Sequence, residues 1–243
     1  MWQAERLTFS EKRRDRPYTI LSAAMTLDGK IATKARDSRI SCEEDLLRVH
    51  KLRAKVDAIM VGIETVLTDD PHLTVNRVKG KSPIRIVLDS NARTPLTARV
   101  LTRRGEEPTL IASARNAPKE RVEALRSAGA EIIITESIGK VDLQSLLLSL
   151  YQKGIKRVMV EGGGNVNWSL LQNGLVDEVR VALAPMIVGG RDATTLVEGE
   201  GVNKIADGIR LALQRIERYG EDIVLTYKVL PKRLLDEARP RRA

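Results

Sequence analysis

Short β-prone runs alternate with helix-like stretches along nearly all of this 243-residue chain, and that alternation restricts the fold more than any other feature. Strands separated by helices pack back as parallel neighbours, so the pattern points to a single α/β domain. Residues 18–25 (YTILSAAM) read as a strand ending in the turn-rich LDGK. A helix is expected over 41–55, with Ser41 and Glu44 at capping-box spacing and Leu46, Leu47, Val49 and Leu52 as its apolar stripe. Residues 57–62 (DAIMVG) read as a buried strand, followed by the polar punctuation TDDP at 68–71. A further strand at 84–89 precedes a β-α-β passage made of strand 110–113, helix 119–128 and strand 131–135, with Gly129 as the helix stop. A helix over 142–152 leads to a strand at 157–160 and a short helix containing Trp168, Leu170 and Leu171. Strand 179–184 and an antiparallel pair, 211–216 and 223–230, turned at 219–222, close the chain. The expected architecture is a mixed sheet, mostly parallel with an antiparallel C-terminal end, flanked by helices. The domain is expected to span 17–230, with basic extensions at 1–16 and 231–243.

Charge and composition exclude several functions. Of the net charge of +9, residues 1–16 carry +2 and residues 231–243 carry +3, so the body is only mildly basic. The tails read as solvated ends. With 3% aromatic residues a base-stacking surface is hard to build, and no specific nucleic-acid partner is expected. No run approaches eighteen apolar residues and the N-terminus is charged, so neither a membrane span nor a leader is expected and the compartment is cytoplasmic. Cys42 stands alone, which rules out a disulfide or a cysteine-based zinc site within the chain, and no metal is expected. No HxE is paired with a PCxxC, which excludes a zinc deaminase in these residues. No GxSxG elbow exists for a serine hydrolase. His50 falls within a helix as a packing residue, and His72, in DDPH, has no partner histidine nearby.

The most informative local string is VEGGGNVNW at 160–168. A strand that runs through glycines into a helix exposes backbone amides to an anion, and the helix N-terminus adds partial positive charge. The string lacks the lysine of a P-loop and the spacing of a dinucleotide fingerprint, so from local pattern alone it is either a phosphate cradle or a tight turn. Glu161 sits where a strand's carboxyl end presents a side chain to a ligand crevice. Thr65 and the Asp69-Asp70-Pro71 run follow another strand and share that rim, either as turn chemistry or as ligand contacts. Asp28-Gly29-Lys30 reads as a turn whose lysine is solvated or holds a phosphate.

MTLDGKIAT (25–33), residues 38–75, IRIVLDS (84–90), VMVEGGGNVNWSLL (158–171) and LVDEVRVALAPMIVGG (175–190) together resemble the riboflavin-biosynthesis reductases, in particular their stand-alone form, in order over 17–230. The resemblance implies a dihydrofolate-reductase-like fold, a homodimer and NADPH as hydride donor. NADH stays admitted, because no arginine pair for a 2′-phosphate can be read from the sequence. It implies reduction of the ribosyl group of 2,5-diamino-6-ribosylamino-4(3H)-pyrimidinone 5′-phosphate to the ribitylamino product. The same reaction on the deaminated pyrimidinedione and dihydrofolate reduction are the alternatives. Carried over by position, the resemblance implies cofactor contacts at Thr65, Asp69, Ser90, Gly162, Gly163, Gly164, Asn165 and Val166. It implies substrate contacts at Ser38, Arg53, Asn76 and Glu161. The position of Asn76 is commonly arginine in the bifunctional relatives, and asparagine cannot supply that charge, which shifts phosphate anchorage toward Arg53 or Lys30. Glu161 and Asp69 are the two candidates for a proton donor.

Overall fold

The computed structural model describes residues 15–102 and 107–231. The basic segments anticipated at the two ends fall largely outside the described residues. Nine strands form one sheet in the order β5-β4-β3-β2-β6-β1-β7-β9-β8. The strands β1 (Tyr18–Thr26), β2 (Ala58–Gly62), β3 (Ile84–Leu88), β4 (Thr109–Ala114), β5 (Glu131–Thr135), β6 (Arg157–Val160) and β7 (Glu178–Ala184) are all parallel to one another. The strands β8 (Leu211–Tyr219) and β9 (Asp222–Val229) form a hairpin, and β9 joins β7 in antiparallel register. The mixed sheet read from the sequence is therefore the one observed.

Because successive side chains point to opposite faces, each central strand feeds two cores. Ile59 and Val61 of β2, Val87 of β3 and Met159 of β6 face one core. Ala58 and Met60, Ile86 and Leu88, and Val158 and Val160 face the other. Burial on both faces explains why these strands read as continuous apolar runs. The first core is capped by α1 (Glu43–Arg53), α2 (Ile63–Asp69) and α3 (Lys119–Ser127) through Leu52, Val66 and Leu125. The second is capped by α4 (Leu143–Gln152) and α5 (Gly164–Gln172) through Leu146, Leu147, Leu150 and Leu170.

Two local expectations are corrected. The capping box at Ser41 and Glu44 does not form: α1 is capped at Cys42, with no side-chain cap bond. The Ser41 hydroxyl instead donates to Asp45 (2.8 Å), and the Cys42 amide donates to Asp222 (2.9 Å), which draws the helix start onto the β8–β9 hairpin. The stretch before Pro71 is not simple punctuation either. Residues 63–69 form α2, which Asp70 ends in the left-handed region (φ 41°). Elsewhere the caps follow the sequence. Asp142 accepts from the Gln144 and Ser145 amides at the start of α4, and Gly129 takes a positive φ of 94° just past α3. At the chain's entry, Arg16 forms a two-pronged ion pair with Asp177 (2.7 and 3.1 Å), which fixes β1 beside β7.

Candidate active site

The carboxyl ends of β2, β6 and β1 open into a cavity of about 1240 Å³, roofed by α1, α2 and the segment after β7. This is where an open parallel sheet offers a ligand crevice. Thr65 and Asp69 reach it from α2, Arg53 from the last turn of α1, Ser38 from the segment after β1, and Glu161 from the end of β6.

The three consecutive glycines have three different physical reasons. Gly162 has φ +93°, a conformation that side chains resist, and its carbonyl accepts from the Gly62 amide at 2.8 Å. It is joined to Gly163 by a cis peptide bond. Gly163 is extended (φ −73°, ψ −165°), and a Cβ there would meet nothing nearer than the Thr65 hydroxyl at 3.9 Å. Gly164 is hemmed in by the segment after β7: a Cβ would lie 2.4 Å from Glu198 Cγ and 2.7 Å from the Thr195 carbonyl. Thus 162 is a backbone requirement and 164 a packing requirement, while 163 faces the open cavity.

Directly after this run, α5 begins. Its first intrahelical bond is Asn167 N–H to the Gly163 carbonyl (3.0 Å), so the Gly164, Asn165 and Val166 amides have no backbone acceptor among the described residues. Asn167 is 1% exposed, and its Nδ2 donates to the Leu196 carbonyl (2.8 Å), while its Oδ1 is buried without a partner. Free amides, a helix N-terminus and an orphaned buried acceptor on one wall fit an anionic ligand that also carries a hydrogen-bond donor, as a dinucleotide does.

Across the cavity floor, Arg53 and Glu161 form a bidentate ion pair, with Nε to Oε1 at 2.8 Å and Nη2 to Oε2 at 2.7 Å. Arg53 also donates to the Thr74 carbonyl (3.1 Å). Burial opposes the charge on Arg53, but the Glu161 carboxylate outweighs it and holds the guanidinium above its usual pKa. On the preceding turn, His50 is buried, and its Nδ1 accepts from the Asn76 amide (3.3 Å). Burial first, and then the positive Arg53, push His50 down to about 4, so its imidazole is neutral at pH 7.

Asp69 sits at the rim, open to water on one side and crowded on the other. That crowding raises its pKa; the Ser38 hydroxyl at 3.5 Å opposes the shift and the neighbouring Asp37 adds to it.

The structure thus brings Thr65, Asp69, Ser38, Arg53, Glu161 and the Gly162–Val166 run to one cavity. Three residues expected at the site lie outside its lining. Lys30 Nζ donates to the Ala193 carbonyl (3.3 Å). The Ser90 hydroxyl, two residues beyond the end of β3, accepts from the Val141 amide (3.2 Å). Asn76 is exposed and meets His50 through its backbone. Residues not anticipated from sequence also line the cavity: Arg36, Asn167, Arg191, Thr195 and Glu198. Only the glycine pair at 189–190 hinted that the segment after β7 turns back toward the site. No group of His, Cys, Asp and Glu suited to a metal occurs among the described residues, and no helix among them is long and apolar enough to cross a membrane.

Residues 17–225 match the model of the RibD C-terminal domain. The chain belongs to that family. The family explains why the strings at 25–33, 38–75 and 158–190 occur in this order. A curated relative from Methanothermobacter thermautotrophicus, a 2,5-diamino-6-ribosylamino-4(3H)-pyrimidinone 5′-phosphate reductase, is 57% identical over 217 residues, covering 88% of this chain and 99% of its own. A protein of the same name from Archaeoglobus fulgidus is 44% identical over 222 residues, covering 87% of this chain and 97% of its own. Among solved structures, RibD from Acinetobacter baumannii superposes with a TM-score of 0.76 at 28% identity; the match covers 89% of this chain and 58% of that one. Dihydrofolate reductase from Enterococcus faecalis superposes at 0.50 with 12% identity over 87% of this chain and 96% of its own, which shows a shared fold and no more.

Proposed function

We propose that this chain is an oxidoreductase that reduces the ribosyl group of 2,5-diamino-6-ribosylamino-4(3H)-pyrimidinone 5′-phosphate to the ribitylamino product, with NADPH as cofactor. The observation that carries the reading is the near-full-length likeness to an archaeal reductase of that name, at 57% identity. The cavity supports it chemically. Gly163 leaves room beside Thr65, and the α5 amides stand ready for a pyrophosphate. When bound, a nicotinamide supplies hydride to the first carbon of the opened sugar.

The chain's own residues do the rest. Arg53 and Glu161, fixed to each other, form a rigid polar floor against which the substrate is oriented. Both Glu161 oxygens accept from Arg53, which leaves that carboxylate occupied. Asp69, whose pKa is raised, is the better of the two candidates to hold a proton beside the ring oxygen or amine while the sugar opens. Arg93, three residues past Ser90, is half-exposed and paired with Glu64. A surface pair of this kind yields readily to a phosphate, which favours NADPH over NADH.

The assembly we propose is a homodimer. On the β8–β9 hairpin, Leu213 (50% exposed), Ile216 (62%) and Ile223 (42%) share one face with Leu225, and no helix among the described residues covers it. An uncovered apolar face beside an edge strand suits a second copy of itself.

Side-by-side assays of the diamino and deaminated phosphates, each with NADPH and NADH, test the activity. Turnover only with the diamino compound and NADPH is the expected result. Inactivity with both pyrimidines overturns the assignment, and turnover of dihydrofolate instead would move the chain to another reductase class.

A further inference from the structure

We propose that Ser41 reads carbon 2 of the pyrimidine ring and so selects the diamino compound over its deaminated counterpart, an inference that rests on the substrate proposed above. At that carbon the diamino ring carries an amine, which donates, and the dione carries a carbonyl, which only accepts. A side chain that tells them apart must present an acceptor whose own proton is turned away. Ser41 meets that requirement. It is half-buried and lines the cavity. Its hydroxyl donates to Asp45 Oδ2 at 2.8 Å. A hydroxyl has one proton and two lone pairs, so with the proton committed inward only lone pairs are left for a ligand. An amine satisfies them, whereas a carbonyl in the same place sets acceptor against acceptor.

The inward turn of that proton is built into the fold. Asp45 is 0% exposed, and its other oxygen, Oδ1, accepts from Arg48 Nε at 2.6 Å in a buried ion pair one turn along α1. Arg48 in turn lies over the Tyr219 ring of the β8–β9 hairpin, 5.8 Å from its centroid. Cys42, next to Ser41, is pinned to the same hairpin by its amide on Asp222 (2.9 Å) and its thiol on the Tyr219 carbonyl (3.0 Å). Neither Asp45 nor Ser41 can turn without breaking this network. Beyond Ser41, the cavity face of α1 continues at helical spacing through Leu46 and Val49 to Arg53. The apolar pair suits a flat ring. The charge on this face stands at Arg53, about 15 Å from the start of the helix. The ring then lies at the Ser41 end, with the phosphorylated sugar toward Arg53.

The test uses the full chain and its Ser41→Ala, Ser41→Thr and Asp45→Asn variants, with melting curves to show that each folds. Steady-state kinetics with NADPH are measured on the diamino and the deaminated phosphates. Calorimetric titrations with 2,5,6-triamino-4(3H)-pyrimidinone and 5,6-diaminouracil, which differ at the same carbon, run alongside. The parent should prefer the diamino substrate in kcat/KM by at least about tenfold. Ser41→Ala should cut that preference to within about threefold, through KM for the diamino compound, and leave NADPH affinity unmoved. Ser41→Thr, which keeps the hydroxyl, should keep most of the preference. Asp45→Asn is the sharper variant. Its amide can accept from Arg48 and donate to Ser41, which turns the serine proton into the cavity and should shift the preference toward the carbonyl compound by about tenfold. A folded Ser41→Ala variant with the parent's preference overturns the role of Ser41. So does a parent that prefers the deaminated compound, and so does a loss that falls equally on both pyrimidines or on NADPH. If Asp45→Asn does not fold, the two Ser41 variants decide. A parent that reduces neither pyrimidine sinks the functional reading instead, and the two fragment titrations then decide whether Ser41 reads the amine.

Discussion

Replacing Gly163 with alanine separates ligand chemistry from chain geometry in a single position. At φ −73° and ψ −165° the backbone is one that alanine adopts freely, and the new Cβ would meet only the Thr65 hydroxyl, at an ordinary contact distance of 3.9 Å. The folded chain should therefore lose little, within about 1 kcal/mol in either direction, since fewer unfolded conformations offset any small clash. The cofactor is affected differently. A phosphate oxygen must come to about 2.9 Å from an amide nitrogen to accept from it, and a methyl group on the cavity side of Gly163 stands in that path. Losing one charge-assisted hydrogen bond costs about 1.5–3 kcal/mol, or roughly 10- to 100-fold in NADPH affinity. Gly164→Ala is the control. Its Cβ would overlap Glu198 and the Thr195 carbonyl at 2.4 and 2.7 Å, so it should destabilise the chain by about 1–3 kcal/mol with no cofactor present. Melting curves with and without saturating NADPH read both effects. The expected pattern is a Gly163→Ala variant with a normal melting temperature that NADPH barely raises, and a Gly164→Ala variant that melts early from the start. If NADPH raises the Gly163→Ala melting temperature as much as it does the parent's, the glycine run is a turn and not the cofactor cradle.

The neutral, buried His50 makes stability pH-dependent. With an unfolded value near 6.5 and a folded value of about 4, the unfolded chain binds the extra proton, so stability falls as pH drops through that window, with a ceiling of about 3 kcal/mol. His50→Gln should flatten this part of the melting-temperature profile, and an unchanged slope would assign it to other groups. Arg93→Gln should lower kcat/KM for NADPH about tenfold while leaving NADH untouched; equal losses with both cofactors would show that Arg93 only positions the rim. Ile216→Asp should convert a dimer to a monomer in light scattering, and a parent already monomeric at micromolar concentration would refute the hairpin interface.

The parallel half of the sheet was legible because its strands are buried on both faces and so stand out as apolar runs such as AIMVG, IRIVL and RVMV. The second helix was not. IETVLTD spans two turns, too few for a periodicity to register, and the Asp-Asp-Pro that follows carries a strong turn signal of its own. The start of α1 was misread for a different reason. Ser41 and Glu44 satisfy a local rule, but the decisive partner is Asp222, 180 residues away. The same distinction runs through the site. Resemblance placed Arg53 and Glu161 among the ligand contacts, yet nothing in either's neighbourhood reveals that they bind each other across 108 residues. That pairing bears on what each can do, since both carboxylate oxygens and two of the guanidinium donors are already occupied by the partner. Lys30, which also reads as a phosphate ligand, has its ammonium on the Ala193 carbonyl. Charge that is already neutralised or engaged inside the fold is not free to serve a ligand until that partner is given up, and neither partnership leaves a trace in the local sequence.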